Sequence, residues 1–124
     1  MSTIISNSVS FPRLPYDEIK TAVLGARYEL SLNFVGETRA RRINQESRGK
    51  NYVPNVLSFS LDKNLGEIYI TPAVAKREAK KWGHSYQKHV LFLFIHGLLH
   101  LKGHDHGEKM EALEQNLLTK FSGK

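Results

Sequence analysis

The sequence predicts an α+β fold, a small mixed β-sheet packed against several α-helices with one apolar helix at its centre. Three observations carry this. Strand-like alternation is confined to the first 71 residues, helical signals dominate the remainder, and a continuous apolar run, Val90–Ile95, lies inside a helix-length segment. At 124 residues the chain reads as one domain, residues 1–124, since a division would leave neither half enough interior. It shows no internal repeat, long linker or block of like charges.

Each element has its own signal. Thr3–Ile5 opens as a short strand. Pro15 and Asp17 introduce a helical pattern in which Ile19, Val23 and Ala26 recur at i, i+4 and i+7. Leu30, Leu32 and Phe34 alternate with Ser31 and Asn33, the period of a half-buried strand, and Gly36 ends it. Glu37–Glu46 reads as a short helix carrying Arg39, Arg41 and Arg42. Ser47–Asn55 follows as a polar loop with Arg48 and Lys50. Val56–Leu61 and Glu67–Thr71 are rich in β-branched and aromatic residues, and the turn residues of Asp62–Gly66 join them into a hairpin.

Thr71-Pro72 supplies an N-cap and a first-turn proline for a helix running to Trp82–Gly83. Ser85 caps the apolar helix, which continues to Lys102 and stops at Gly103. Glu108–Phe121 closes the chain as a helix with Met110, Leu113, Leu117 and Phe121 on one stripe.

Composition narrows the function. The apolar and charged fractions, 40% and 24%, exclude a collagen-like, low-complexity or wholly disordered chain. The absence of cysteine excludes disulfides, thiolate zinc sites and cysteine nucleophiles, and fits a reducing compartment. Eighteen Lys and Arg against twelve Asp and Glu leave a net charge of +6, which favours polyanions such as nucleic acid. The opening stretch MSTIISNSVSFPRLP has no secretory pattern, and no apolar run approaches the roughly 20 residues of a membrane span. The expectation is a soluble, cytoplasmic protein with no membrane partner.

All six histidines lie between His84 and His106. His96 and His100, four apart on a helix, project from one face and can reach one ion together. Gly103 can adopt the positive φ of a helix end and turn the chain back, bringing His106 as a third ligand. Paired histidines at this spacing are often incidental. Here their helix is otherwise apolar, a glycine stands where a reversal is needed, and no other segment holds histidine. Three neutral imidazoles suit one zinc ion per chain, with a fourth position for water. The H-x3-H-x5-H spacing also matches a long zinc-peptidase pattern, but that pattern's glutamate base is replaced by Gly97. A peptidase of that type would lack its base.

The stretch from His96 through Gly97, His100, Gly103 and Asp105 to His106 resembles the HGxLHLxGyDH signature of the YbeY family of metal-dependent endoribonucleases, with His104 where the family usually has Tyr. Arg48-Gly49-Lys50, Asn55-Val56-Leu57-Ser58-Phe59 and Leu65-Gly66-Glu67-Ile68-Tyr69-Ile70 resemble its upstream stretches. Pro54 stands where Thr is common. The resemblance covers roughly residues 43–107. It implies a small α+β fold, zinc held by His96, His100 and His106, an Arg48 that matters to activity, and cleavage of single-stranded RNA. It also implies work on ribosomal RNA, at the small-subunit 3′ end and in ribosome quality control, with the ribosome or its small subunit as partner.

Given an RNA phosphodiester, Arg48 can clamp two oxygens of the transition state across the cleft. Lys50, Arg41 and Arg42 would hold flanking phosphates, as would a second basic group, Lys76, Arg77, Lys80, Lys81 and Lys88, unless that group is a solvated helix face. Asp105 has three readings: partner of a ligand ring N–H, general base, or N-cap of the last helix. His104 is read as a pocket residue, and His84 and His89 as surface or helix-end residues. Tyr52, Phe59 and Trp82 are candidates for base stacking, with Phe59 better placed for the core. Two rivals remain, another zinc hydrolase with an unusual base, and a ribosome-associated RNA-binding module with weak or no nuclease activity.

Overall fold

The computed structural model describes residues 3–122, with elements in the order β1 (Thr3–Asn7), α1 (Tyr16–Leu24), β2 (Glu29–Phe34), α2 (Glu37–Arg48), β3 (Val56–Asp62), β4 (Leu65–Ile70), α3 (Pro72–Trp82), α4 (Tyr86–Lys102) and α5 (Glu108–Ser122). The four strands form one sheet in the order β1-β2-β4-β3. β1 pairs parallel to β2 and β2 parallel to β4, while β3 runs antiparallel to β4. This is the mixed sheet expected of an α+β chain. None of the helices among the described residues is long and apolar enough to cross a membrane.

Strand alternation decides which face the helices cover. Leu30, Leu32 and Phe34 of β2 and Ile68 and Ile70 of β4 are buried, while Ser31, Asn33 and Tyr69 between them are half-buried on the other face. The inward row meets α4, which also packs against α1, α3 and α5. Val90, Leu91, Leu93, Phe94, Ile95, Leu98 and Leu99 of α4 are each at most 2% exposed. At about 1.5–3 kcal/mol for each large side chain fully buried, this helix is the main source of hydrophobic stabilisation.

Two glycines let backbones approach. Gly97 faces the sheet, where a Cβ would lie 2.9 Å from Ser58 Oγ and 3.1 Å from Ile68 Cδ1. Ser58 Oγ also donates to the Gly97 carbonyl at 3.0 Å, bonding α4 to β3. Gly66 belongs to β4 rather than to the hairpin turn. It is buried, and a Cβ there would collide with Tyr28 Oη, so packing rather than turn geometry demands the glycine. The turn itself is Lys63-Asn64, with the Lys63 N–H donating to Asp62 Oδ1 at 2.8 Å.

Other boundaries also shift. α1 ends at Leu24 and Gly25 takes φ 96°, which leaves Ala26 outside the helix. Thr71 precedes α3 but makes no side-chain cap, whereas Ser85 Oγ accepts from the Lys88 N–H as expected. α2 runs two residues beyond Glu46 and stops where Gly49 adopts φ 68°. Ser47 and Arg48 are therefore helical, not part of a loop. Phe59 is half-buried against Tyr69 on the outer face of the sheet and does not join the core.

Candidate metal centre and its cleft

His96 and His100 lie one turn apart on α4, half-buried at the edge of its apolar surface. Gly103 then takes φ 106°, a left-handed conformation that L side chains rarely adopt, and the chain reverses. The reversal carries the exposed His106 back to the first two. The three ring centroids lie 4.6, 5.1 and 4.9 Å apart, and one ligating atom from each ring falls within 4.8 Å of the others.

The outward ring nitrogens show why this trio fits a cation. His96 Nδ1 donates to the Glu114 carboxylate, and His100 Nδ1 donates to the His104 carbonyl at 3.1 Å. In neutral imidazoles these bonds leave both Nε2 atoms as bare acceptors. Those two atoms face each other at 3.1 Å, with no proton left to join them. The spacing is close to the ~3.3 Å expected for two tetrahedral ligands each about 2.0–2.1 Å from one zinc ion. The donor set therefore fits a divalent ion that accepts imidazole, with the rings oriented in advance. Burial pushes the His100 imidazole below its ordinary pKa, and repulsion from His96 and His106 adds to the effect, so the neutral, ligating form is favoured.

Glu114 is not among the residues that the sequence singles out. It sits on α5 with a side chain only 7% exposed, one turn from the buried Met110 and Leu118, and holds the His96 ring in place. Its local signal is a glutamate on an inward helical row. Asp105, the carboxylate expected to have this task among its possible roles, is exposed and hydrogen-bonds none of the three rings. Nor does it cap α5, which begins at Glu108. His104 contributes its carbonyl to His100, but its side chain lines a separate hollow with Ala22, Val23 and Leu117, not the triad's cleft.

That cleft, about 540 Å3, is walled by the three histidines, by Asn55 and Ser58 near β3, and by Arg48 at the end of α2. Arg48 Nη1 donates to Asn44 Oδ1 at 3.2 Å, and Asn44, fully buried, donates its own amide to the Tyr52 carbonyl at 3.0 Å. A guanidinium is thus held beside a polar cleft that ends in a histidine trio. Arg41, Arg42 and Lys50 are exposed and line none of this cleft. Of the second basic group, Arg77 is paired with Glu37 at 2.8 Å and Lys76 lies over the Tyr86 ring at 5.1 Å, as a solvated helix face would have it. His89, expected at the surface or at a helix end, lies in the first turn of α4 but not at the surface. It is fully buried, donates from Nε2 to Glu78 Oε1 at 3.0 Å, and contacts His84 Nδ1 through its own Nδ1 at 3.1 Å.

Comparison with known proteins gives one consistent result. The family profile described as Endoribonuclease YbeY matches residues 11–122. A protein named Endoribonuclease YbeY from Bdellovibrio bacteriovorus is 48% identical over 92 residues, covering 72% of this chain and 61% of that one. One of the same name from Geobacillus kaustophilus is 35% identical over 113 residues, covering 75% and 72% respectively. The solution structure of a Thermotoga maritima protein superposes with a TM-score of 0.65 at 27% identity, over 86% of this chain and 76% of the other. The aligned regions span 61% and 72% of the lengths of these two curated relatives. The triad, its glycine reversal and the Arg48 wall lie within the matched region, and the chain belongs to the YbeY family.

Proposed function

We propose that the protein is a zinc-dependent endoribonuclease for single-stranded ribosomal RNA. Its place would be in maturation of the small-subunit rRNA 3′ end and in ribosome quality control, in the cytoplasm, on the ribosome or its small subunit. The observation that carries the reading is a histidine trio sharing one cleft with a tethered arginine. Relatives that bear the name endoribonuclease support it.

Zinc in this site supplies Lewis acidity toward a phosphoryl oxygen and lowers the pKa of water. The chain's residues do the rest. His96, His100 and His106 present Nε2 or an equivalent ring nitrogen to the ion, two of them locked by Glu114 and the His104 carbonyl. Arg48 donates to non-bridging oxygens of the scissile phosphate as negative charge gathers there. Asn44 holds Arg48 at the cleft. Asp105, exposed and adjacent to His106, accepts the proton of the attacking water or 2′-hydroxyl. Lys50, just beyond the end of α2, and Arg41 and Arg42 along that helix are exposed and attract flanking phosphates without reading bases.

Gly97 argues against peptide hydrolysis. The position where a zinc peptidase carries its base is packed against Ser58 and Ile68, so no carboxylate can stand there without displacing β3 and β4.

The test is cleavage of unstructured RNA by metal-analysed protein, with the ends of the products identified. A 2′,3′-cyclic phosphate assigns the attack to the 2′-hydroxyl, a free 3′-hydroxyl to water. Arg48→Ala should lower the single-turnover rate by about 10²–10³. Metal-loaded protein that binds RNA but leaves it intact would overturn the nuclease reading in favour of a binding module.

A further inference from the structure

A second cleft of about 300 Å3 opens from the first, and the two share Asn55, His96 and His106. Its character is different. Trp82, Phe92 and Met110 give it an aromatic and apolar wall, and the carboxylates of Glu111 and Glu114 stand where the first cleft has Arg48. We propose that this second cleft holds an unpaired nucleobase of the bound RNA, stacked on Trp82, while the adjoining phosphate lies at the triad. The proposal rests on the RNA reading above and adds a base subsite to it.

Three features select this occupant. Carboxylates repel a phosphate but not the uncharged face of a base, so the two clefts divide a nucleotide into its parts. The aromatic wall is continuous with the metal centre, since the Phe92 ring lies 6.1 Å from His96 and 5.0 Å from Trp82. Trp82 is also 57% exposed yet packed, with His89 5.4 Å away edge to face and that imidazole hydrogen-bonded to Glu78. A flat ring open to solvent and packed against its neighbours offers a stacking platform that loses less freedom on binding than an unsupported side chain.

Trp82 is the chain's single tryptophan, so its fluorescence reports this subsite alone. The probes are a short 2′-O-methyl oligoadenylate, which resists cleavage, and the same strand with abasic sugars. Binding of each is followed separately by anisotropy of an end label. The oligoadenylate should quench Trp82 saturably, and the abasic strand should bind more weakly without quenching it. Trp82→Ala should weaken oligoadenylate binding by about 5- to 150-fold, the range for loss of one stacked base, and leave abasic binding unchanged. Trp82→Phe should restore most of the loss. Equal quenching by both strands, or binding of oligoadenylate with no quenching, overturns the subsite and leaves the nuclease reading standing. Failure of both strands to bind overturns the RNA reading and the subsite together.

Discussion

Glu114 provides the sharpest test of the metal centre, because its carboxylate bears on the ligand set through one hydrogen bond, to His96. Its carboxylate accepts from His96 Nδ1 and so keeps the Nε2 lone pair turned toward His100 and His106. Glu114→Ala removes the acceptor, leaves the Nδ1–H without a partner, and frees the ring to rotate or to carry its proton on the ligating nitrogen. Loss of such a partner typically weakens metal affinity 10- to 100-fold, or about 1.4–2.8 kcal/mol. Glu114→Gln keeps an amide oxygen that can still accept the bond and loses only the charge, so it should fall between the parent and alanine. The assay is competition for zinc between the metal-free protein and a chromophoric chelator, with circular dichroism confirming that each variant is folded. A folded Glu114→Ala protein whose zinc affinity stays within about twofold of the parent would refute the orienting role.

Further predictions follow from the same geometry. Gly97→Ala gains helix propensity of about 1 kcal/mol, but its Cβ would press on Ser58 Oγ and Ile68 Cδ1, and overpacking costs about 1–3 kcal/mol. The net outcome should be a melting temperature several degrees lower, and an increase would contradict the close approach of α4 to the sheet. Asn44→Ala strands the Tyr52 carbonyl and releases Arg48, so single-turnover cleavage should slow, though less than in Arg48→Ala. An unchanged rate would show that the tether is dispensable. The depressed pKa of His100 fixes a sign for the metal-free protein. The unfolded chain takes up this proton at the ordinary value near pH 6.5 and the folded one only below it, so stability is lost as pH falls through that window. The urea midpoint should drop between about pH 7.5 and about pH 5.5, and drop less in His100→Asn. Equal drops in the two proteins would refute the assignment.

The residues that were legible in sequence are those whose partners lie within a turn or two. His96 and His100 meet because a helix has a fixed period, and His106 joins them because Gly103 can take φ 106°. The strands β2 and β4 betray their inner faces by alternation. What escaped depends on partners distant in the chain. Glu114 reaches His96 across 18 residues, and the α5 stripe of Met110, Leu113, Leu117 and Phe121 meets the most buried row, Met110, Glu114 and Leu118, only at Met110. His89 looks like a polar residue at the start of a helix until Glu78, 11 residues upstream on α3, answers its Nε2. Arg48 reads as a loop residue because α2 has too few apolar side chains to show a period. Its end is marked only by the glycine that stops it.

The packing around this centre supports the proposed catalytic role over a purely structural one. The apolar cluster that holds the fold together includes seven residues of α4 and none of the three metal-ligand candidates. Two of these candidates ride on that packed helix, so their positions are fixed by burial that needs no ion. The third is on an exposed turn, yet three hydrogen bonds fasten the backbone that leads to it. Gly103 N–H donates to the His100 carbonyl and His104 N–H to the Leu99 carbonyl, each at 3.0 Å, and the His100 ring donates to the His104 carbonyl at 3.1 Å. His100 therefore both faces the ion and anchors the turn that delivers His106. A structural zinc site draws its fold from the metal. Here packing and backbone hydrogen bonds position the three candidate ligands, which supports the catalytic reading proposed above.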